Sequence, residues 1–332
     1  MIANCFVTGG TGFVGSHIVR LLCERGHSVT VLARKSSDFH LIEDLNYNVA
    51  IGDLVNLNSL HDVIPNETEW LFHNAAIMAD WGSKKKYFPV NVEGTRHILE
   101  IVRRKDVPQL VHTSSTGVYG FPNTEEPLRE GDPYDPANAY QESKVEAEKL
   151  IKEYESDYGF KASMVRAPVV LGNGDMFTTP QLIEFAKDGG MVLFSGGRNT
   201  QTYVHVEDFA RCLILAAENM TRAAGNTYNV GSFTCKYREL VEALTEELGL
   251  EQSFRNYPYS VAVGLGVVAE RLYRAFNRKN APLLTSFRVK MFGTEYIVDY
   301  SKAQEELGYE PKWGLESTVK DMVEWGGFVK PR

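Results

Sequence analysis

The sequence predicts an α/β protein: a doubly wound parallel sheet with a smaller C-terminal domain. Three observations carry this. Short apolar runs alternate with helical stretches through the first half of the chain. The runs are continuously apolar, as expected of strands buried on both faces. From about Gly172 the alternation gives way to loops rich in Gly, Asn and Thr, interrupted by helices. With 332 residues, 43% of them hydrophobic and 23% charged, the chain can bury one large core or two modest ones.

In chain order, residues 5–7 form a first buried strand. Residues 17–26 form a helix with Ile18, Leu21 and Leu22 inward and Gly26 at its C-terminal cap, and residues 29–32 form the next strand. Apolar runs at 49–51, 70–73, 110–113 and 163–166 continue the sheet, with helices over 94–104 and 140–158. Pro136 and Asn138 are start signals for the second of these helices. The expected division is a first domain of residues 1–171, to which 201–231 return, and a second of 172–200 and 232–332.

Net charge is −8 at a pI near 5.6, which argues against a nucleic-acid partner. The one basic run, Lys84-Lys85-Lys86, reads as a solvated loop. Cys5, Cys23, Cys212 and Cys235 show neither paired spacing nor accompanying His ligands, so no metal site and no disulfide framework is expected. The first strand begins too early for a signal peptide, and the most lipid-like stretch, 260–269, is too short to span a bilayer. A cytoplasmic protein is the expectation.

Directly after the first strand stands TGGTGFVG, residues 8–15, with glycines at 9, 12 and 15. Within a β-α-β unit, Gly9 permits a tight turn and Gly12 lets the backbone approach a pyrophosphate at the helix N-terminus. Gly15 lets that helix lie close to its strand. The spacing Gly-x-x-Gly-x-x-Gly resembles the extended branch of the short-chain dehydrogenase/reductase superfamily, whose first half is a Rossmann-type fold.

Tyr140 and Lys144 are four apart, on one helical face. A Lys beside a Tyr favours the phenolate, and such a pair can exchange a proton with a carbonyl oxygen while hydride moves at carbon. Upstream, at a strand end, Ser115 can donate a hydrogen bond to the same oxygen. Glycine turn, strand-end serine and Tyr-x-x-x-Lys in this order again resemble the extended dehydrogenases. Gly52-Asp53-Leu54, the run 73–76, Asn91-Val-Glu-Gly-Thr95, the run 166–175 and the C-terminal stretch 301–311 are similar to further motifs of that family, although Ala167 intrudes before Pro168. The resemblance implies Ser115, Tyr140, Lys144 and Asn91 as the catalytic set. It places Gly9, Thr11, Gly12, Phe13, Val14, Gly15, Asp53, Leu54, Asn74, Ala75, Ala76, Pro168 and Val170 against a dinucleotide, with Tyr140 and Lys144 at its nicotinamide end.

The end of the second strand, where an NAD enzyme usually carries a carboxylate, holds Ala33 followed by Arg34 and Lys35. A small residue followed by Arg accepts a 2′-phosphate, so NADP(H) is expected in preference to NAD(H). Family members that act on nucleotide sugars tend to carry an Arg where Gln201 stands, although Arg198 is close enough in sequence to substitute. Residues 257–276 interleave Val261, Val263, Leu265, Val267, Val268 and Leu272 with few charges, as do 3β-hydroxysteroid dehydrogenase-like members. This segment reads as a lid over an apolar substrate, a core helix, a dimer contact or a membrane-surface helix, and Trp81 as an aromatic wall or a packing residue. The expectation is an oxidoreductase interconverting a secondary alcohol and a ketone on a largely apolar substrate: steroid-, flavonoid- or long-chain-like. A nucleotide-sugar epimerase or dehydratase is the alternative. Members of the family often dimerise through a helix pair, which leaves a homodimer open.

Overall fold

A computed structural model describes residues 2–79, 81–276, 278 and 280–326. The last six residues of the expected second domain, 327–332, lie outside the described residues, as does Asp80.

The first half of the chain runs β1 (Asn4–Thr8), α1 (Phe13–Glu24), β2 (Ser28–Ala33), β3 (Asn48–Ile51), α2 (Leu57–Val63), β4 (Trp70–His73), α3 (Lys84–Phe88), α4 (Gly94–Arg104), β5 (Gln109–Ser115), β6 (Thr124–Leu128), α5 (Ala139–Tyr158), β7 (Lys161–Ala167) and β8 (Val169–Leu171). Next come α6 (Thr178–Lys187), β9 (Met191–Phe194), β10 (Thr200–His205), α7 (Val206–Glu218), α8 (Met220–Ala223), β11 (Thr227–Asn229), β12 (Phe233–Lys236) and α9 (Tyr237–Glu247). The chain then continues through β13 (Phe254–Tyr257), α10 (Tyr259–Ala275), α11 (Ser286–Gly293), β14 (Tyr296–Val298), α12 (Ser301–Leu307) and α13 (Leu315–Gly326).

Seven strands form a parallel sheet in the order β11-β7-β5-β4-β1-β2-β3. The chain leaves β1 toward β2 and β3, then returns to the other side through β4, so the direction of winding reverses between β1 and β4. That crevice, outside the carboxyl ends of the two strands, is where a sheet of this kind leaves room for a ligand. One face is covered by α1 and α7 through a core that includes Ile18, Leu22, Val31, Phe72, Phe209 and Leu213. The other is covered by α2, α4 and α5 around Phe6, Leu71, Leu99, Leu110 and Ile151. A second sheet, β12-β10-β14-β6 with β8 on β10, and a β9–β13 pair stand apart from it.

The strands expected at 5–7, 29–32, 49–51, 70–73, 110–113 and 163–166 all lie in the main sheet. Two features differ from the sequence reading. The first helix starts at Phe13 rather than at residue 17, because Gly12 already adopts the extended N-cap conformation and residues 13–16 form the first turn. Its end is as expected: the N–H of Gly26 (φ +80°) donates to Cys23 and that of His27 to Leu22, the paired bonds of a glycine C-cap. Beyond Leu171, where the sequence reads as loops and helices, the structure also holds β9 to β14. These strands span only 3 to 6 residues and show no period to read.

Candidate active site

The expected ligand residues gather at one edge of the sheet. Gly9 follows β1, Arg34 follows β2, Asp53 lies just past β3, Asn74 follows β4, Ser115 ends β5 and Pro168 follows β7. The glycine turn has the geometry its spacing implies. Gly9 is left-handed at φ +69°, and a Cβ on Gly15 would stand 2.0 Å from the Gly9 carbonyl oxygen, so helix and strand meet there without side chains. A Cβ on Gly12 would meet only that same oxygen, at 3.4 Å, which leaves its outer side open.

No side chain caps the N-terminus of α1. Its first amides are aimed at the crevice with the positive end of the helix dipole behind them, an arrangement suited to a pyrophosphate. Thr11, Phe13 and Val14 belong to the same turn. Asn74 Nδ2 donates to the Gly9 oxygen at 3.4 Å, and the Ala75 amide to Thr8 Oγ1 at 3.1 Å, so the 74–76 loop is tied to the turn. Leu54 is buried under Gly94, and Val170 pairs with Val204 in the second sheet. Arg34 and Lys35 are exposed, and neither side chain has an ion-pair partner among the described residues. The residues present thus fit a dinucleotide.

Tyr140 lies in the first turn of α5, which Asn138 caps by accepting the Gln141 amide at 2.9 Å. Burial pushes the Tyr140 phenol up to about 12; the Ser115 hydroxyl opposes that rise and the neighbouring Tyr87 phenol adds to it. Ser115 Oγ also accepts the Gly117 amide at 3.0 Å, which fixes its rotamer at the strand end. Lys144, 4% exposed, is lowered to about 8 by burial, with Glu148 opposing. Its Nζ donates to the Thr113 carbonyl at 2.9 Å. The expectation that Lys144 draws the phenol downward is therefore not expressed in this arrangement: desolvation dominates, and the ammonium is engaged on the backbone of β5.

Asn91 touches the loop and the helix rather than the reacting groups. It sits in a one-turn π-helix, Pro89–Glu93, a widening that turns its side chain inward. Its Oδ1 accepts the Ile77 amide at 2.7 Å, and its Nδ2 donates to the Ile77 carbonyl at 3.0 Å and to Ser143 Oγ at 2.9 Å. Ser143 in turn donates to the Tyr140 carbonyl at 2.6 Å. A second chain runs from Thr8 through His73 to Thr95 and the Asn91 carbonyl. Asn91 thus joins the cofactor-side loop to the helix that carries Tyr140.

Sequence reasoning missed the anchor beneath. Arg166 and Glu148, 1% and 0% exposed, pair bidentately at 2.9 and 2.6 Å. Ser114 and Tyr134 donate to the same carboxylate, while Tyr119 and Tyr134 accept from the guanidinium. This fastens α5, β5 and β7 together directly under Ser115. The signal was present: Tyr140, Lys144 and Glu148 recur every four residues, so Glu148 shares their face. Lys84-Lys85-Lys86 is likewise no loop. It opens α3, where Lys84 pairs with Glu142 and Lys86 bonds the Trp81 carbonyl, close to the aromatic contact of Tyr87 with Tyr140.

Aromatic groups gather beside Thr116, the residue after Ser115. Phe121 packs edge-on to Phe287 and tilts on Tyr296, whose hydroxyl bonds the Thr116 carbonyl at 2.6 Å. Gln201 is buried and saturated: it donates to Met291 and Thr294 carbonyls and accepts from Tyr203. Arg198 is exposed. Trp81 lies under the Arg274 guanidinium at 5.2 Å. In α10, Ala262 and Gly266 pack inward, whereas Val261, Leu265, Val268 and Leu272 face outward. Among the described residues no cluster of three or more His, Cys, Asp or Glu could hold a metal ion, and no helix is long and apolar enough to cross a membrane.

A parallel sheet reversing beside a glycine turn, with Ser115, Tyr140 and Lys144 grouped at its edge, defines a dinucleotide-dependent oxidoreductase of the short-chain dehydrogenase/reductase class, acting at CH–OH groups. Residues 5–231 match the NAD dependent epimerase/dehydratase family, and the chain belongs to that family as an extended member of the class. It is 25% identical to a 2-alkyl-3-oxoalkanoate reductase of Shewanella oneidensis, over 96% of this chain and 85% of that one. It is 27% identical to the 3beta-hydroxysteroid-dehydrogenase/decarboxylase isoform 1 of Arabidopsis thaliana, over 98% of this chain and 80% of the relative. The crystal structure of gox2253 superposes with a TM-score of 0.84 at 28% identity, covering 99% of this chain and all of the other.

Proposed function

We propose that this protein is an NADP(H)-dependent oxidoreductase that interconverts a ketone and a secondary alcohol on a largely apolar substrate. One observation carries the reading: the rings of Phe121, Phe287 and Tyr296 pack together beside Thr116, the residue after Ser115, while Gln201 is fully engaged by the Met291 and Thr294 carbonyls and the Tyr203 hydroxyl. A diphosphate needs fixed cationic donors, because stripping its charges of water without partners costs several kcal/mol. An apolar wall gains about 25 cal/mol for each square ångström it covers. The names of the relatives, a 3-oxoalkanoate reductase and a hydroxysteroid dehydrogenase, support the same substrate class.

In this reading the cofactor supplies or takes up hydride at the substrate carbon. Ser115 donates a hydrogen bond to the reacting oxygen and polarises it. Tyr140, held protonated by burial, delivers its proton to that oxygen in the reduction and recovers it in the oxidation. Lys144 is the cation that holds the nicotinamide ribose. Asn91 positions Tyr140 through Ser143. Arg34 receives the 2′-phosphate that distinguishes NADP(H), and residues 172–200 and 232–326 build the substrate side.

The experiment is a panel of hydrophobic ketones and alcohols, with UDP-, GDP- and dTDP-sugars beside them, followed at the nicotinamide absorbance and by thermal protection. Ketones should turn over and protect once NADP(H) is bound, and nucleotide sugars should do neither at millimolar levels. Saturable binding of a nucleotide sugar, with its epimerisation or dehydration, would overturn the proposal.

A further inference from the structure

We infer that the outer face of α10 is a docking surface for an anionic lipid bilayer. At 100° per residue, Val261, Leu265, Val268, Leu272 and Phe276 fall within about 80° of arc. The first four are each just over half exposed, Phe276 is 74% exposed, and Leu283, beyond the helix, 77%. A continuous apolar ridge of this kind needs a partner.

The charges around it decide which. Residues 255–290 contain seven Lys and Arg against one acid, Glu270, in a chain whose net charge is −8. That single carboxylate is turned to the opposite side, where its Oε1 accepts the Ser286 amide and hydroxyl at 2.7 and 2.9 Å. Arg271, at the margin of the ridge, and Arg278, just beyond the helix, are exposed. An apolar stripe with a cationic margin is the pattern of a helix lying in the headgroup region of a membrane containing acidic lipids. A second copy would bring the same arginines against one another across a two-fold axis, which opposes self-association. The rest of the surface, being acidic, is repelled by such a membrane and leaves this face as the one that approaches. The inference does not depend on the reaction proposed above.

The test uses the full chain in flotation with phosphatidylcholine vesicles, with and without added phosphatidylglycerol. Binding should require phosphatidylglycerol and weaken as salt is raised. Leu265→Glu with Val268→Glu, and separately Arg271→Glu with Arg278→Glu, should each lower the partition coefficient at least about tenfold while leaving the melting temperature unchanged, since these side chains are exposed. Sedimentation velocity runs alongside. No binding to either vesicle, binding indifferent to the four substitutions, or a dimer that Leu265→Glu with Val268→Glu converts to monomer would each overturn the inference.

Discussion

In the proposed reaction Tyr140 must hold a proton at neutral pH and yet give it up to a substrate oxygen, and its surroundings favour the first of these. Burial raises the phenol to about 12, and Ser115 is the group that pulls it back. Tyr140→Phe removes only the hydroxyl, so kcat should fall by about 10²–10⁴ while cofactor affinity stays within error, measured by steady-state rates and by fluorescence titration. A variant that keeps most of its kcat would take Tyr140 out of the mechanism. In the proposed reading Arg34 acts at the far end of the cofactor. Arg34→Ala should shrink the preference for NADP(H) over NAD(H) by about tenfold, because a charge-assisted bond to the 2′-phosphate is lost. Equal affinities in the unmodified protein would refute the preference itself. Single residues with fixed spacing, such as the three glycines and the Tyr140–Lys144 pair, were legible in the sequence because their chemistry is local. The saturation of Gln201 was not, because its partners Met291 and Thr294 lie some 90 residues away in the chain.

At the level of elements, α5 organises the site, since one of its faces carries Tyr140, Lys144 and Glu148. The buried Glu148–Arg166 pair joins this helix to β7, and removing one partner strands the other charge without water. Glu148→Gln should cost about 3–5 kcal/mol in urea unfolding, whereas Glu148→Leu combined with Arg166→Met should cost less than the sum of the two single changes. A loss below about 1 kcal/mol for Glu148→Gln would mean that the pair is not the anchor described. The long buried strands and the start of α5 at Asn138 could be read from pattern alone. The start of α1 was harder, because the glycines of residues 9–15 mask a first helical turn that opens at Phe13, where Gly12 already takes the extended N-cap conformation. The short strands of the second sheet were illegible for a different reason. β14 meets β10 through the single register pair Gln201–Tyr296, so tertiary contact rather than local sequence makes it a strand.

Over the whole molecule, the buried His73 and His112 and the half-buried His17 set an acid limit. Burial lowers His73 to about 3 and His17 to about 4, and holds His112 well below its ordinary value. All three are neutral in the fold but take up a proton near 6.5 once unfolded, so the unfolded chain binds more protons and stability falls as pH drops below 6.5. Each contributes up to about 1.4 kcal/mol per pH unit through that window. Urea midpoints measured without cofactor should decline steadily from pH 7 to 5, and a flat profile would contradict the burial described. The path of the chain has a further consequence. After β7 it crosses to the second sheet at β8 and β10, comes back as α7 to cover β5 and β7, and adds β11 as the edge strand beside β7. A chain released from the ribosome at residue 171 would lack that cover and leave one face of β5 and β7 bare. The glycine turn and Tyr140 are therefore synthesised long before the layer that shields their sheet. A fragment ending there should gather into aggregates rather than bind a nucleotide.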